Sequence, residues 1–241
     1  MVKYKKIAAP SLTELFVKEI ENMIFSGKLK PGERLPAERD MAKSMEISQT
    51  IVNNGFSILA GKGLLKIVPR KGTFVNDYKN EGGLETLAAL VNYSQSHMPK
   101  ETVYSMYELR FLLEKTVFTN ACKNFTDEDL SYLKNEYDIF LKISDIDEKC
   151  DKLYDIVRFV HKQYHNSVYM MIVKGFYPMY IQSFKLLFES SKNEEYYKYV
   201  DAIYQSIFSK NDLNIEKEII DMQNFELRVL EENHFFTYTK E

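Results

Sequence analysis

Apolar residues recur at helical spacing from the first part of the chain, where Leu12, Leu15, Phe16, Ile20, Met23 and Ile24 share one stripe. Ser11 and Glu14 stand ahead of it as a capping-box pair. The stripe predicts a helix of about 14 residues that ends near Ser26 and Gly27. Lys30-Pro31-Gly32 is a turn. Pro36 opens a second, shorter helix, where its missing amide proton costs nothing, with Met41 and Ala42 turned inward. Met45-Glu46-Ile47 turns the chain again, and Ser48 caps a third helix. Val52, Phe56 and Leu59 form the core face of that helix, with Gln49, Thr50 and Asn53 opposite; Gly61-Lys62-Gly63 stops it. Two short apolar runs, 65–68 and 73–75, then flank Pro69-Arg70-Lys71-Gly72 as a hairpin. Two short helices joined by a tight turn and followed by a basic-tipped hairpin predict a winged helix-turn-helix over residues 1–78.

The pattern changes after that. Residues 76–83 are polar and end in glycines, which places a linker at 79–84. From residue 85 to 241 strand alternation gives way to helical stripes at 85–95, 102–123, 127–143, 150–165, 167–190, 194–209 and 213–233. Thr126-Asp127-Glu128-Asp129 reads as a helix start, its acidic residues matched to the helix dipole. The expected fold is mostly α: an N-terminal winged helix-turn-helix, then an all-α helical bundle.

Charge sharpens this division. Residues 1–79 carry 14 Lys and Arg against 8 Asp and Glu, a net of +6, whereas residues 80–241 carry 18 against 27, a net of −9. A basic front and an acidic back fit a nucleic-acid module joined to a part that stays off phosphate. No apolar run reaches the roughly 18 residues of a membrane span. The start, Met1-Val2-Lys3-Tyr4-Lys5-Lys6, is basic but leads into an amphipathic helix rather than a secretory signal. Cys122 and Cys150 stand far apart without metal-ligand spacing, which argues against a disulfide framework or zinc site and suits a reducing cytoplasm.

On this reading the partner of the first domain is double-stranded DNA. The N-terminus of the third helix, at Ser48, turns free amides toward phosphate. Gln49, Thr50 and Asn53 then face major-groove base edges, while Arg70 and Lys71, on the turn closed by Gly72, reach the minor groove or its phosphates.

The series Pro36-Ala37-Glu38-Arg39, Ser48-Gln49-Thr50 and Lys71-Gly72-Thr73-Phe74-Val75 resembles the GntR family of bacterial transcription regulators over roughly residues 10–76. The resemblance implies DNA contact by Arg39, by the third-helix face and by the wing. The family usually has Arg where Gln49 and Asn53 stand, so an operator sequence does not carry over. Tyr107-Glu108-Leu109-Arg110-Phe111-Leu112-Leu113-Glu114 is similar to the E-x-R-x-x-L-E opening of the FCD effector domain of the FadR subfamily. Gly83-Leu84-Glu85-Thr86-Leu87-Ala88 resembles the start of such a domain, and Asn166-Ser167 falls where those domains break a helix.

Many FCD domains hold a metal through Asp and His residues. The matching positions here are Tyr154, Arg158, about Val200 and about Met222, none of them a suitable ligand, so no metal is expected. The fatty-acyl-CoA-responsive branch likewise has Tyr and Arg at the first two positions. His161 and His165 are four apart, but no third ligand accompanies them, and solvent-facing histidines are the plainer reading.

Residues 80–241 contain 15 Tyr, 12 Phe and 6 Met, which serve either as ordinary bundle core or as the lining of an effector cavity. Arg110 shares a stripe with Val103 and Tyr107, so its charge turns inward, where either Glu114 or an effector anion must meet it. Arg158, on a stripe with Tyr154, is a second candidate anchor. The chain is therefore expected to be a homodimeric regulator that binds a palindromic operator. Its effector would be an acyl-CoA, fatty acid or other carboxylate held by Arg110, Tyr154 and Arg158. The alternative is a small-molecule-binding dimer with weak or lost operator binding. No nucleophile–base pair, phosphate loop or metal set points to an enzyme.

Overall fold

The computed structural model describes residues 10–93 and 99–233; the basic Met1–Lys6 start lies outside them. The chain divides into two compact units, Met1–Tyr93 and Ser94–Glu241.

The first unit opens with α1 (Leu12–Phe25), fixed at its start by Ser11, whose hydroxyl accepts from the Glu14 amide at 3.2 Å. The Glu14 carboxylate reciprocates by accepting from the Ser11 amide at 2.7 Å. The buried face of α1 is Phe16, Val17, Ile20, Ile24 and Phe25, rotated from the expected stripe so that Leu12 and Leu15 are exposed. α2 (Glu38–Ser44) starts two residues later than expected, with Ala37 as its N-cap and Pro36 ahead of it. α3 (Gln49–Gly61) buries Val52, Phe56 and Leu59 against α1. Their approach is close: a Cβ on Gly55 would fall 2.3 Å from the Phe16 ring, so only glycine fits there. β1 (Leu65–Val68) and β2 (Gly72–Val75) pair antiparallel with Leu65 opposite Val75.

Two further helices stay with this unit: α4 (Tyr78–Glu81) and α5 (Leu84–Asn92). The Thr86 hydroxyl donates to the Lys62 carbonyl at 2.7 Å and accepts from the Gly83 amide at 3.1 Å, tying α5 to the end of α3. Ala89 joins the first core, with Leu90 and Tyr93 packed on it. The division of the chain therefore falls after Tyr93 rather than at the expected 79–84 linker, and 84–92 does not open the second unit.

The second unit contains α6 (Lys100–Asn124), α7 (Asp127–Lys142), α8 (Ile146–Gln163), α9 (Ser167–Gly175), α10 (Tyr177–Glu189), α11 (Asn193–Phe208) and α12 (Asp212–Glu232). α6 is central. It packs on α8, α11 and α12 and therefore buries residues on several sides, Val103, Tyr107, Leu113 and Val117 among them. Asn166 starts α9 by accepting from the Val168 and Tyr169 amides at 3.1 and 3.2 Å, which is the expected helix break. The single stripe expected over 167–190 is two helices, because Pro178 has no amide proton with which to continue a ladder across Phe176. Among the described residues no helix is long and apolar enough to cross a membrane. The fold is mostly α, a winged helix followed by an all-helical domain.

Candidate nucleic-acid interface and buried cavity

The first site is assembled by α2, α3 and the wing. Ser48 has non-helical backbone and its hydroxyl accepts from the Ile51 amide at 3.3 Å, so the start of α3 is capped by its own side chain. Gln49, Thr50 and Asn53 are exposed on the face opposite Val52 and Phe56, as period 3.6 dictates. Arg39, the second residue of α2, is exposed as well. At the wing tip the Lys71 amide donates to the Val68 carbonyl at 3.0 Å, closing a turn with Pro69 and Arg70 in its middle. Arg70 has φ of 63°, the left-handed value that a type II turn requires at its third position. Glycine adopts it freely; an arginine there holds its charge outward at a backbone cost of roughly 1–2 kcal/mol.

Two contributors escaped the sequence reading. Arg34 reaches the wing, its Nε 2.9 Å from where a Cβ on Gly72 would sit, so Gly72 makes room for a second guanidinium besides that of Arg70, and a third cation with Lys71. Glu38 accepts from Gln49 Nε2 at 3.3 Å and from Asn53 Nδ2 at 3.1 Å. The proline turn before α2 hid the first. Sequence separation hid the second, since Glu38 precedes its partners by 11 and 15 residues.

The second site is a cavity in the helical unit. It is bordered by Arg110, Glu114 and Phe118 of α6, Leu153 and Val157 of α8, and Phe184 of α10. Tyr196, Val200, Ile203 and Tyr204 of α11, with Ile219 and Met222 of α12, complete it. At about 30 Å³ it has room for a few water molecules and is too small for an acyl chain as it stands.

Arg110, only 1% exposed, faces the interior as its stripe predicts. Its Nε donates to Glu114 Oε1 at 3.1 Å, its Nη2 to Glu226 Oε1 at 3.1 Å, and its Nη1 to Ser183 Oγ at 3.5 Å. The rings of Phe111 and Tyr180 lie 4.6 and 4.7 Å from the guanidinium carbon. Burial works against the charge of Arg110, but Glu114 and Glu226 together outweigh it and hold the group protonated. The second carboxylate fares worse. Burial lifts Glu226 to about 6 against the pull of Arg110, and the charge of Glu114 adds to the lift. One cation facing two anions leaves the cluster one negative charge in excess when both are ionised.

Tyr154 and Arg158 do not join Arg110 at this cavity. The Tyr154 hydroxyl donates to the Val173 carbonyl at 3.2 Å, which draws the ring toward α9. Arg158 is partly exposed and donates to Asp155 at 3.0 Å, a neighbour within its own helix. Val200 and Met222, the other two positions matched to family metal ligands, do border the cavity. His161 is fully buried rather than solvent-facing, with Nδ1 3.0 Å from the Val157 carbonyl and its pKa lowered by burial. His165 lies beyond the end of α8 with φ of 57°, so the two imidazoles do not share a helical face. Among the described residues no group of three or more His, Cys, Asp or Glu could hold a metal ion. Cys122 and Cys150 are buried and free, and burial pushes their thiols up to about 11 and about 12.

Residues 12–75 match the family described as bacterial regulatory proteins, gntR family. The winged helix is therefore of the GntR family. That family is one of regulators and not of enzymes. The chain is 32% identical over 114 residues to the HTH-type transcriptional regulator LutR of Bacillus subtilis, a stretch covering 47% of this chain and 49% of LutR. It spans about half the length of the curated relatives it matches first. It is also 23% identical over 206 residues to the fatty acid metabolism regulator protein of Shewanella oneidensis, covering 82% of this chain and 81% of that one. Among solved structures it resembles the one titled "Lar controls the expression of the Listeria monocytogenes agr system and mediates virulence". The TM-score is 0.59 at 17% identity, over 94% of this chain and 99% of the other, a likeness of fold.

Proposed function

We propose that this GntR-family chain is a cytoplasmic, homodimeric, ligand-responsive transcription regulator whose winged helix binds a palindromic operator. The observation that carries the reading is a winged helix in which Arg39, Gln49, Thr50, Asn53, Arg70 and Lys71 are all exposed, with Ser48 capping the third helix and Gly72 in the wing. The net charge of +6 over residues 1–79 supports it. Each subunit would take one half-site, and an effector in the helical domain would favour one arrangement of the two heads over another.

The effector would enter beside Arg110, where the cavity has its polar end. An acid arriving there must displace a carboxylate or meet a protonated Glu226, and an acyl tail must part α11 from α12. The similarity to a fatty acid metabolism regulator favours an acyl or fatty acid over a small hydroxy acid. Arg158 and Tyr154 could then contact only a part of the ligand that reaches beyond the cavity.

Fluorescence anisotropy on genomic DNA fragments tests the reading. Arg39→Ala is expected to weaken specific binding more than tenfold, and Lys71→Ala to lower the salt dependence by about one unit of slope. Fatty acids of rising chain length, added to the complex, should shift binding at falling concentration, at about 0.8 kcal/mol per methylene buried. Weak DNA binding that shows no preference among fragments and is lost as salt rises would favour the second reading, a ligand-binding dimer with weak operator contact, for which the Glu38 bonds to Gln49 and Asn53 speak.

A further inference from the structure

Gln49 and Asn53 are four residues apart on α3, and each offers the groove a terminal amide. An amide has two N–H donors and one carbonyl acceptor, so a free one can read several bases. These two are not free. Glu38 stands at the first position of α2, half-buried, with one carboxylate oxygen on each: Oε2 accepts from Gln49 at 3.3 Å and Oε1 from Asn53 at 3.1 Å. A carboxylate only accepts, so both NH2 groups must point to it and both carbonyl oxygens away from it. What remains for DNA is, for each side chain, one N–H and one carbonyl oxygen.

We propose that Glu38 is a specificity-determining residue, which clamps the two amides so that the recognition helix selects adenine and discriminates against guanine. The inference rests on the DNA-binding reading above. Adenine shows the major groove one acceptor, N7, and one donor, N6–H, which match the one N–H and the carbonyl left on each amide. Guanine shows two acceptors, N7 and O6, and would need the N–H that Glu38 holds. A guanine edge would also face the amide carbonyls and the carboxylate, oxygen against oxygen. The clamp should persist on binding. Exclusion of water makes an unpartnered carboxylate more costly, so releasing the amides inside the interface is harder than in the free protein.

Selection from a random pool of double-stranded DNA, with the full chain, tests the clamp. Gln49→Ala and Asn53→Ala identify the base positions that each side chain reads. At those positions the wild type is expected to enrich adenine over guanine about tenfold, within the range of a good bidentate pair. Glu38→Ala should bring that ratio below about threefold by letting both amides turn. Glu38→Gln, which keeps the size but has one acceptor, should preserve the preference at one position and lose it at the other. Guanine enriched at the assigned positions, or preferences unchanged in Glu38→Ala, overturn the clamp and leave the DNA-binding reading intact. A pool from which the wild type enriches nothing overturns that reading and this inference with it.

Discussion

In the winged helix the polar groups that matter lie at the surface and face solvent, whereas in the helical domain the charged ones are sealed inside and face one another. Gln49, Thr50, Asn53, Arg70 and Lys71 are all exposed. Arg110 and Glu226 are 1% and 0% exposed, with Glu114 beside them at 3%. The contrast is one of solvent. At the surface a charge is screened and cheap, and its worth lies in what it will meet. Inside the bundle a charge is tolerable only among partners, and an arrangement of one cation with two anions is poised rather than balanced.

The largest test of this contrast is to remove the shared cation. Arg110→Ala strands two buried carboxylates and is expected to cost the helical domain about 3–5 kcal/mol. Glu226→Gln leaves one carboxylate per guanidinium and should cost far less. Denaturant midpoints followed by helical circular dichroism compare the two. Equal losses would mean that packing around α6, and not charge balance, decides the outcome.

A pH series gives a subtler reading of the same cluster. Glu226 rises from 4.5 to about 6 in the folded protein, which thus holds this proton more tightly than the unfolded chain does. The group therefore adds stability as pH falls from about 6 toward 4.5. His161 works in the opposite sense. Buried and neutral, it has a folded pKa below 6.5, so its contribution is present above 6.5 and is lost as pH falls through the lower value. The wild type should show a shallow profile in which the two oppose. Glu226→Gln should fall more steeply in acid, and an unchanged profile would mean that this carboxylate does not titrate there.

The smallest effect belongs to the wing. Arg70 occupies a left-handed position whose cost to a side chain is roughly 1–2 kcal/mol, while glycine loses about 0.4–1 kcal/mol more chain entropy on folding. Arg70→Gly should thus stabilise the winged helix by about 0.5 kcal/mol and weaken DNA binding, read by thermal melting and by anisotropy. A variant that gains stability and keeps its affinity would leave the strained turn without a role at the DNA.

Local patterns made the first domain legible. Ser11 with Glu14, and Ser48 ahead of Val52, Phe56 and Leu59, are short-range signals that the tertiary structure keeps. The inward turn of Arg110 also followed from its stripe with Val103 and Tyr107. What stayed hidden depends on contacts between distant residues. Glu226 reaches Arg110 from 116 residues away, and no helical period announces that. The exposed Leu12 and Leu15 show a stripe rotated by the demands of α3. His161 is an apolar-face residue with a polar name, and its burial follows from the neighbours that α6 and α8 bring to it.

The Thr86 hydroxyl, placed between the Lys62 carbonyl and the Gly83 amide, has a consequence for how such regulators are recombined. A junction at the polar stretch around residue 79 would look natural for grafting a different second domain onto this winged helix. It would remove Ala89, Leu90 and Tyr93 from the first core and leave the end of α3 without its hook. The seam at which this head can be exchanged whole lies after Tyr93, so a chimera must carry α5 along with the wing.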